Sequence, residues 1–452
     1  MHPSSSPSEL QKPIYHVSPQ CSSPFVPFVP FLPPTPDMIV TRWTRRVLYR
    51  RRDTPKVLVI PVRAVEPFRK LHQLPFEILN YIISLLSDDP EDILSCTLVC
   101  RSVSNAARPF IFRDITLDCK AVLDDLVDAM RETTHLGGWI HRLCIDAREN
   151  LRLQQDWVFL ALETLRPHLT QLQTLEILGL YECPKFREEG FYQKLSSMSS
   201  LKNLRILDCG LPHPIIQSLA CSFPHLSSLA IRRNRTSFYE YHQITELYRP
   251  RLTNICIYDE WGEIEAPLLE WATSSKQVHS LRSLNIDVAR SRDVPRAQKF
   301  ISDAGPRLER LILGRFITDG MHEIPVNLAR CTALCHLGFL GSINHYVITI
   351  IGNLPSPEYL RTLTLGVSNN KVWKAYNGRY TLLDKHLCKP EYVNLEEVHF
   401  RCAIGFGDEV EWETKLSKAF PGLAERGLIR MDKDIDLPAK YDMSKDEETR
   451  HS

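Results

Sequence analysis

Leu226-Ser-Ser-Leu229-Ala-Ile231-Arg-Arg-Asn234 carries apolar residues at its first, fourth and sixth positions, and that spacing recurs down the chain. The same apolar-x-x-apolar-x-apolar hexad begins at Ile140, Leu172, Leu201, Leu226, Leu252, Leu281, Leu308, Leu334, Leu360 and Leu395, with successive offsets of 32, 29, 25, 26, 29, 27, 26, 26 and 35 residues. One hexad describes any half-buried strand, because side chains alternate between the two faces. Ten at near-constant spacing describe a repeat protein.

Helix-length segments lie between the hexads: Trp157 to Arg166, Pro214 to Phe223, Ala266 to Thr273, Pro295 to Ala304 and Tyr346 to Asn353. Pro224, Pro250 and Pro306 each stand two residues before a first leucine, and Pro167 precedes Leu172. A proline there ends a helix and releases an extended strand. The unit is therefore one strand plus one helix, an α/β class. Each unit must bury its leucines against its neighbours, which stacks the strands in parallel with the helices outside. The alternative, a doubly wound sheet, needs continuous apolar strands and a glycine fingerprint after the first one. Neither is present.

Over roughly residues 110–432 this pattern resembles the leucine-rich repeat family, in the longer form found in ubiquitin-ligase receptors and nuclease inhibitors. The period carries the resemblance, while the family's Asn or Cys position is poorly kept. It implies a curved solenoid with a parallel concave sheet and outer helices. Ten strands about 4.8 Å apart would give about 50 Å of concave surface.

Composition bounds the function. Of 452 residues, 43% are hydrophobic and 24% charged, which is ordinary for a globular chain, and 55 basic against 54 acidic residues leave +1. That balance argues against nucleic acid or an anionic membrane as the main partner. The 13 cysteines form an odd, scattered set without C-x-x-C, and Cys144, Cys209, Cys256 and Cys402 read as small apolar packing residues. A reducing compartment, cytosol or nucleus, is expected. No stretch reaches 18 apolar residues, and the apolar run Phe25 to Leu32 is broken by Pro27 and Pro30, so neither a membrane span nor a signal peptide is expected.

Motifs of catalysis are absent from the sequence: no GxSxG, P-loop, GxGxxG or HExxH, with His322-Glu323 standing alone. Cys331-x-x-x-Cys335-His336 lacks a second ligand pair at zinc-finger spacing and reads as packed thiols. His225 and His399, beside or within hexads, read as satisfied surface histidines. No cofactor and no metal are expected.

Residues 1–70 form an extension. Its first part is rich in Ser and Pro and cannot bury enough surface to order itself. Six arginines then fall between Arg42 and Arg52, interleaved with Trp43 and Tyr49. This run admits a nuclear-import or nucleic-acid patch, or simply a solvated basic arm. Residues 433–452 read as a charged, frayed tail.

Residues 71–117 precede the repeats. Within them lie His72-Gln-Leu74-Pro75-Phe-Glu77-Ile78-Leu79, with Ile78, Ile82, Leu85 and Leu86 at helical spacing, and Pro75 expected in the first helical turn. Asp89 is placed to cap a second helix, with Pro90 just inside it and Glu91 and Asp92 in its first turn. Leu94, then Leu98-Val99-Cys100-Arg101, lead to a third. This arrangement resembles an F-box, with Val103 where that family usually has Trp and Phe110 or Phe112 as its closing aromatic. The resemblance implies docking on the Skp adaptor, and through it on a cullin, by Leu74, Pro75, Ile78, Ile82, Leu94, Leu98, Val99 and Cys100. So small a unit cannot bury its aliphatics alone, leaving apolar surface for a partner helix and for the first repeat. Phe112-Arg-Asp-Ile115-Thr-Leu117 fits the hexad 28 residues before Ile140, so the helices feed straight into a solenoid at 112–432.

The two resemblances together imply the non-catalytic substrate receptor of a Skp-cullin-F-box (SCF) ubiquitin ligase. The alternative is a repeat scaffold or inhibitor whose F-box-like helices merely cap the solenoid. By strand alternation the target would meet Arg232, Tyr258, Asp287, Arg310, His336, His399 and Arg401 on the open face.

Overall fold

The computed structural model describes residues 74–86, 89–149, 155–181, 190–232, 234, 247–258, 265–274, 277–288, 294–316, 326–340, 345–367, 377–402 and 409–433. The expectations for residues 1–70, with the Arg42 to Arg52 run, and for the tail beyond 433 lie outside the described residues.

Three helices come first: α1 (Phe76–Ser84), α2 (Pro90–Thr97) and α3 (Arg101–Ile111). Pro75 stands at the N-cap of α1 rather than inside it, its carbonyl accepting from the Ile78 and Leu79 amides. The Asp89 carboxylate caps α2, accepting from the amides of Glu91 at 2.9 Å and Asp92 at 3.4 Å, with Pro90 at the first position where its missing N–H costs nothing. Leu79, Ile83, Ile93, Val103, Ala106 and Ala107 form a small core between the three helices.

Strands and helices then alternate: β1 (Asp114–Leu117), α4 (Lys120–Glu132), β2 (Arg142–Asp146), α5 (Asp156–Leu165), β3 (Thr174–Leu178), α6 (Phe191–Leu195), β4 (Asn203–Leu207), α7 (His213–Ser222), β5 (Ser228–Arg232), β6 (Asn254–Tyr258), α8 (Glu265–Ser274) and β7 (Ser283–Val288). The series continues with α9 (Val294–Ala304), β8 (Arg310–Phe316), β9 (His336–Phe339), α10 (His345–Gly352), β10 (Thr362–Val367), α11 (Asn377–Leu387), β11 (Glu397–Cys402), α12 (Glu409–Ala419), α13 (Pro421–Glu425) and β12 (Ile429–Lys433). The twelve strands among the described residues join one parallel sheet in strict chain order from β1 to β12. A doubly wound sheet reverses its strand order at a switch point, so this order rules it out and fits a repeat solenoid. Each expected hexad supplies one strand, which starts at its third position, as Asn254 follows Leu252.

The register explains the sheet. Fourth hexad positions stack as Ile115, Leu143, Leu175, Leu204, Leu229, Ile255, Leu284, Leu311, Leu337, Leu363, Val398 and Ile429. Sixth positions form a second ladder beside them, from Leu117 through Ile177, Ile257 and Leu313 to Phe400 and Met431. Both ladders join the helices in one continuous core from Phe112 to Leu428. Phe112 therefore belongs to the repeats, whereas Phe110 packs on the small helical core, and Ile111 touches both.

β12 does not follow the hexad, because Arg426 occupies the position that Leu395 fills in the preceding unit. Its guanidinium instead donates to the carbonyls of Leu387, Tyr392 and Leu395 at 2.9, 3.1 and 3.4 Å, substituting hydrogen bonds for a buried leucine. Where the Asn or Cys position is kept, it stitches turns together: Asn234 exchanges two hydrogen bonds with the Leu211 backbone, and the buried Cys209 thiol points at the Ile177 and Leu207 carbonyls. Strand exits after β3 and β4 take a left-handed residue, Gly179 at φ 67° and Asp208 at φ 53°.

Two outcomes follow from this core. Leu311 is fully buried, so Leu311→Asp leaves an uncompensated charge costing about 3–5 kcal/mol; denaturant unfolding is expected to report that loss, and a parental midpoint would refute the register. His213, at the start of α7, buries both ring nitrogens without hydrogen-bond partners, and desolvation pushes its imidazole down to about 4 from 6.5. The unfolded chain thus binds a proton between those values that the folded chain refuses. Stability from this group is complete above pH 6.5 and falls by up to about 3 kcal/mol as pH drops toward 4. His213→Phe is expected to flatten that part of the pH dependence in unfolding experiments.

Candidate functional site

Helix α1 has two apolar faces. Leu79 and Ile83, four residues apart, turn into the small core at 3% and 2% exposure, and Leu86 is half-buried against it. Ile78, Tyr81, Ile82 and Leu85, at i, i+3, i+4 and i+7, face outward with exposures from 40% to 67%. The stripe expected from the sequence, Ile78, Ile82, Leu85 and Leu86, is therefore split: its first three members face solvent, and the core takes the row one residue along. Leu74, Pro75 and Phe76 are exposed at the mouth of the same helix.

A second exposed group sits at the turn between α2 and α3. Leu98 is 82% exposed and Val99 56%, beyond any packing need of the three helices. Leu94 is half-buried, and Cys100 is half-buried against the small core while standing at the N-cap of α3. Val103, where the F-box pattern has Trp, is buried. Of the eight residues expected on this surface, Leu74, Pro75, Ile78, Ile82, Leu98 and Val99 are exposed. Phe76 and Tyr81 share the surface without having been expected there, and Leu85, expected in the helical stripe but not among the adaptor contacts, lies on it too; the i, i+3, i+4, i+7 rule applied to Ile78 points to Tyr81 and Leu85.

The sheet face opposite the helices forms the second candidate. Its side chains fall in three rows, at the third, fifth and seventh hexad positions. Arg310 and His336 are neighbours in the first, His399 lies in the second, and Arg232, Tyr258, Asp287 and Arg401 lie in the third. His336 Nε2 lies 3.2 Å from the Thr364 hydroxyl, and His399 Nε2 lies 2.9 Å from Glu397 Oε2. Asp287 departs from expectation. It is 2% exposed, because the neighbouring Gly314 has no side chain and the carboxylate folds over it; a Cβ there would meet Asp287 at 2.9 Å.

Burial pushes up the Tyr258 hydroxyl pKa, with the Asp287 charge and the Cys256 thiol adding to it, while Arg401 and Arg232 pull it back. Burial also pushes the Cys256 thiol up to about 11, against the opposing pull of Arg232, Arg205 and Arg310. Nearer the N-terminal end of the sheet, Glu176 is buried between Arg142 at 2.7 Å and Arg205 at 3.9 Å.

Of the cysteines read from the sequence as packed thiols, Cys331 is buried in the core and Cys335 points its thiol at the Glu309 carbonyl. No helix among the described residues is long and apolar enough to cross a membrane.

A comparison with curated proteins found no match for the chain. Residues 71–146 match the family model described as the COS11 F-box domain, and that match runs through α1, α2, α3, β1 and α4 to Asp146, the last residue of β2. The helical region and the first strand–helix–strand unit thus carry an F-box domain of this type as one stretch.

Proposed function

We propose that this protein is the substrate receptor of an SCF ubiquitin ligase, with the F-box region holding the Skp adaptor and the repeats holding a target protein. The observation that carries this reading is the coincidence of the F-box match with apolar surface that the fold leaves unburied, above all Leu98 and the Ile78–Ile82–Leu85 face of α1. Each of these side chains contributes at most about 1.5–3 kcal/mol when it passes from water into a partner. A handful is enough for a stable complex. The solenoid then needs only to hold a target within reach of the ubiquitin-charged conjugating enzyme, so the chain supplies binding and geometry while the covalent chemistry happens elsewhere. The leucine-rich-repeat reading of the sheet belongs to this proposal, as does residence in the cytosol or nucleus, which the free cysteines support.

Adaptor binding separates this reading from that of a capped scaffold. Ile78→Asp with Leu98→Asp is expected to abolish co-purification with the Skp adaptor while shifting unfolding free energy by no more than about 0.5 kcal/mol, because both side chains are solvated in the free chain. Undiminished adaptor binding would favour the scaffold. For the target, simultaneous Arg232→Ala, Tyr258→Ala and Arg310→Ala is expected to empty the target set in quantitative mass spectrometry with adaptor binding intact, since Arg and Tyr are frequent interface hot spots. An unchanged target set would move that site off the sheet.

A further inference from the structure

The sheet of the described residues ends at β12, and the apolar ladders end with it. In the unit before, Val398 and Phe400 are fully buried, whereas their ladder neighbours Ile429 and Met431 are only half-buried against the core. The backbone shows which groups face this edge. The Val398 amide donates to the Leu428 carbonyl at 2.8 Å, so Leu428, Arg430 and Asp432 turn their main-chain groups toward β11, and by alternation Ile429, Met431 and Lys433 turn theirs outward. Arg430 marks the same direction. Its Nη1 folds back to donate to the carbonyls of Gly427 and Ile429, at 3.0 and 2.9 Å, where a strand partner would donate instead. Such an edge is a template for another strand.

The sequence of β12 is complementary to itself. Set antiparallel to a second copy about Met431, Ile429-Arg-Met-Asp-Lys433 brings Met431 opposite Met431, Arg430 opposite Asp432 and Ile429 opposite Lys433. The three outward-turned residues then fall at hydrogen-bonded positions, and the opposite charges at the non-bonded positions, where facing side chains come closest. No neighbouring register does this. A shift of one residue sets outward-turned groups against inward-turned ones, and a shift of two sets Arg430 or Asp432 against itself. We propose that β12 is a homodimerisation edge, across which two copies of this chain join their sheets antiparallel about a two-fold axis at Met431. A two-fold interface uses the same patch on both subunits, which a self-complementary strand supplies. Arg430, half-exposed and 3.6 Å from Glu397, exchanges its carbonyl bonds for Asp432 of the second copy, and the half-buried Met431 meets its counterpart. The dimer holds two open faces in one particle, so a target with two docking points is bound with avidity. The edge does not depend on the receptor reading.

Sedimentation velocity of the full chain across a concentration series tests this, and a monomer–dimer equilibrium is expected. Arg430→Asp alone and Asp432→Arg alone each set like charges opposite one another twice, and each is expected to weaken the dimer about tenfold or more. The two changes together restore opposite charges and are expected to restore the dimer, a rescue that a folding defect would not show. Lys433→Pro removes one outward amide and no bond to β11, which an edge strand tolerates, and is expected to weaken the dimer independently of charge. A chain that stays monomeric overturns the proposal, as does a dimer indifferent to the single reversals or not rescued by the double. Hydrogen exchange of such a monomer then assigns the edge elsewhere: slow exchange at the Met431 and Lys433 amides gives it to residues 434–452, and fast exchange to a different protein.

Discussion

Two ladders of apolar side chains, at the fourth and sixth positions of each strand, are what the rest of the structure depends on. They run unbroken across twelve strands, with Leu, Ile, Val, Phe and Met as their members. A lone strand–helix unit could not bury its leucines, so each one is stable only between neighbours, and the sheet must grow in chain order. Because one side of the sheet is committed to these ladders and the helices over them, the other side is free to vary. Period-two alternation thereby turns a packing constraint into an array of independent surface positions.

The same economy acts in the three N-terminal helices. With so few residues they can bury only one face, and Leu79, Ile83, Ile93 and Val103 take it. The remaining aliphatics stay in water unless a partner covers them. Their clustering on two adjoining surfaces, with Leu98 at 82% exposure and Leu85 at 67% above every exposed leucine of the repeats, makes them the clearest functional signal in the fold.

Strand positions were legible because hexads repeat, and helix positions because prolines and apolar spacing mark their ends. β12 escaped because Arg426 replaces the first apolar residue, and no local rule says that a guanidinium can hold three carbonyls of the preceding unit in its place. On α1 the period was visible, but two interleaved apolar rows one residue apart have equal claims to the core. Only packing on α3 chooses Leu79 and Ile83. Asp287 read as open because alternation fixes the face and not the depth, which depends on Gly314 one strand away.

The central claim is that the exposed apolar residues of the F-box region, and not the sheet, meet the adaptor. Hydrogen–deuterium exchange of the full chain, alone and with the Skp adaptor, tests it directly. The account predicts slowed exchange confined to residues 74–86 and 94–100. Protection spread along the strands instead, or none at all in those two segments, would contradict it.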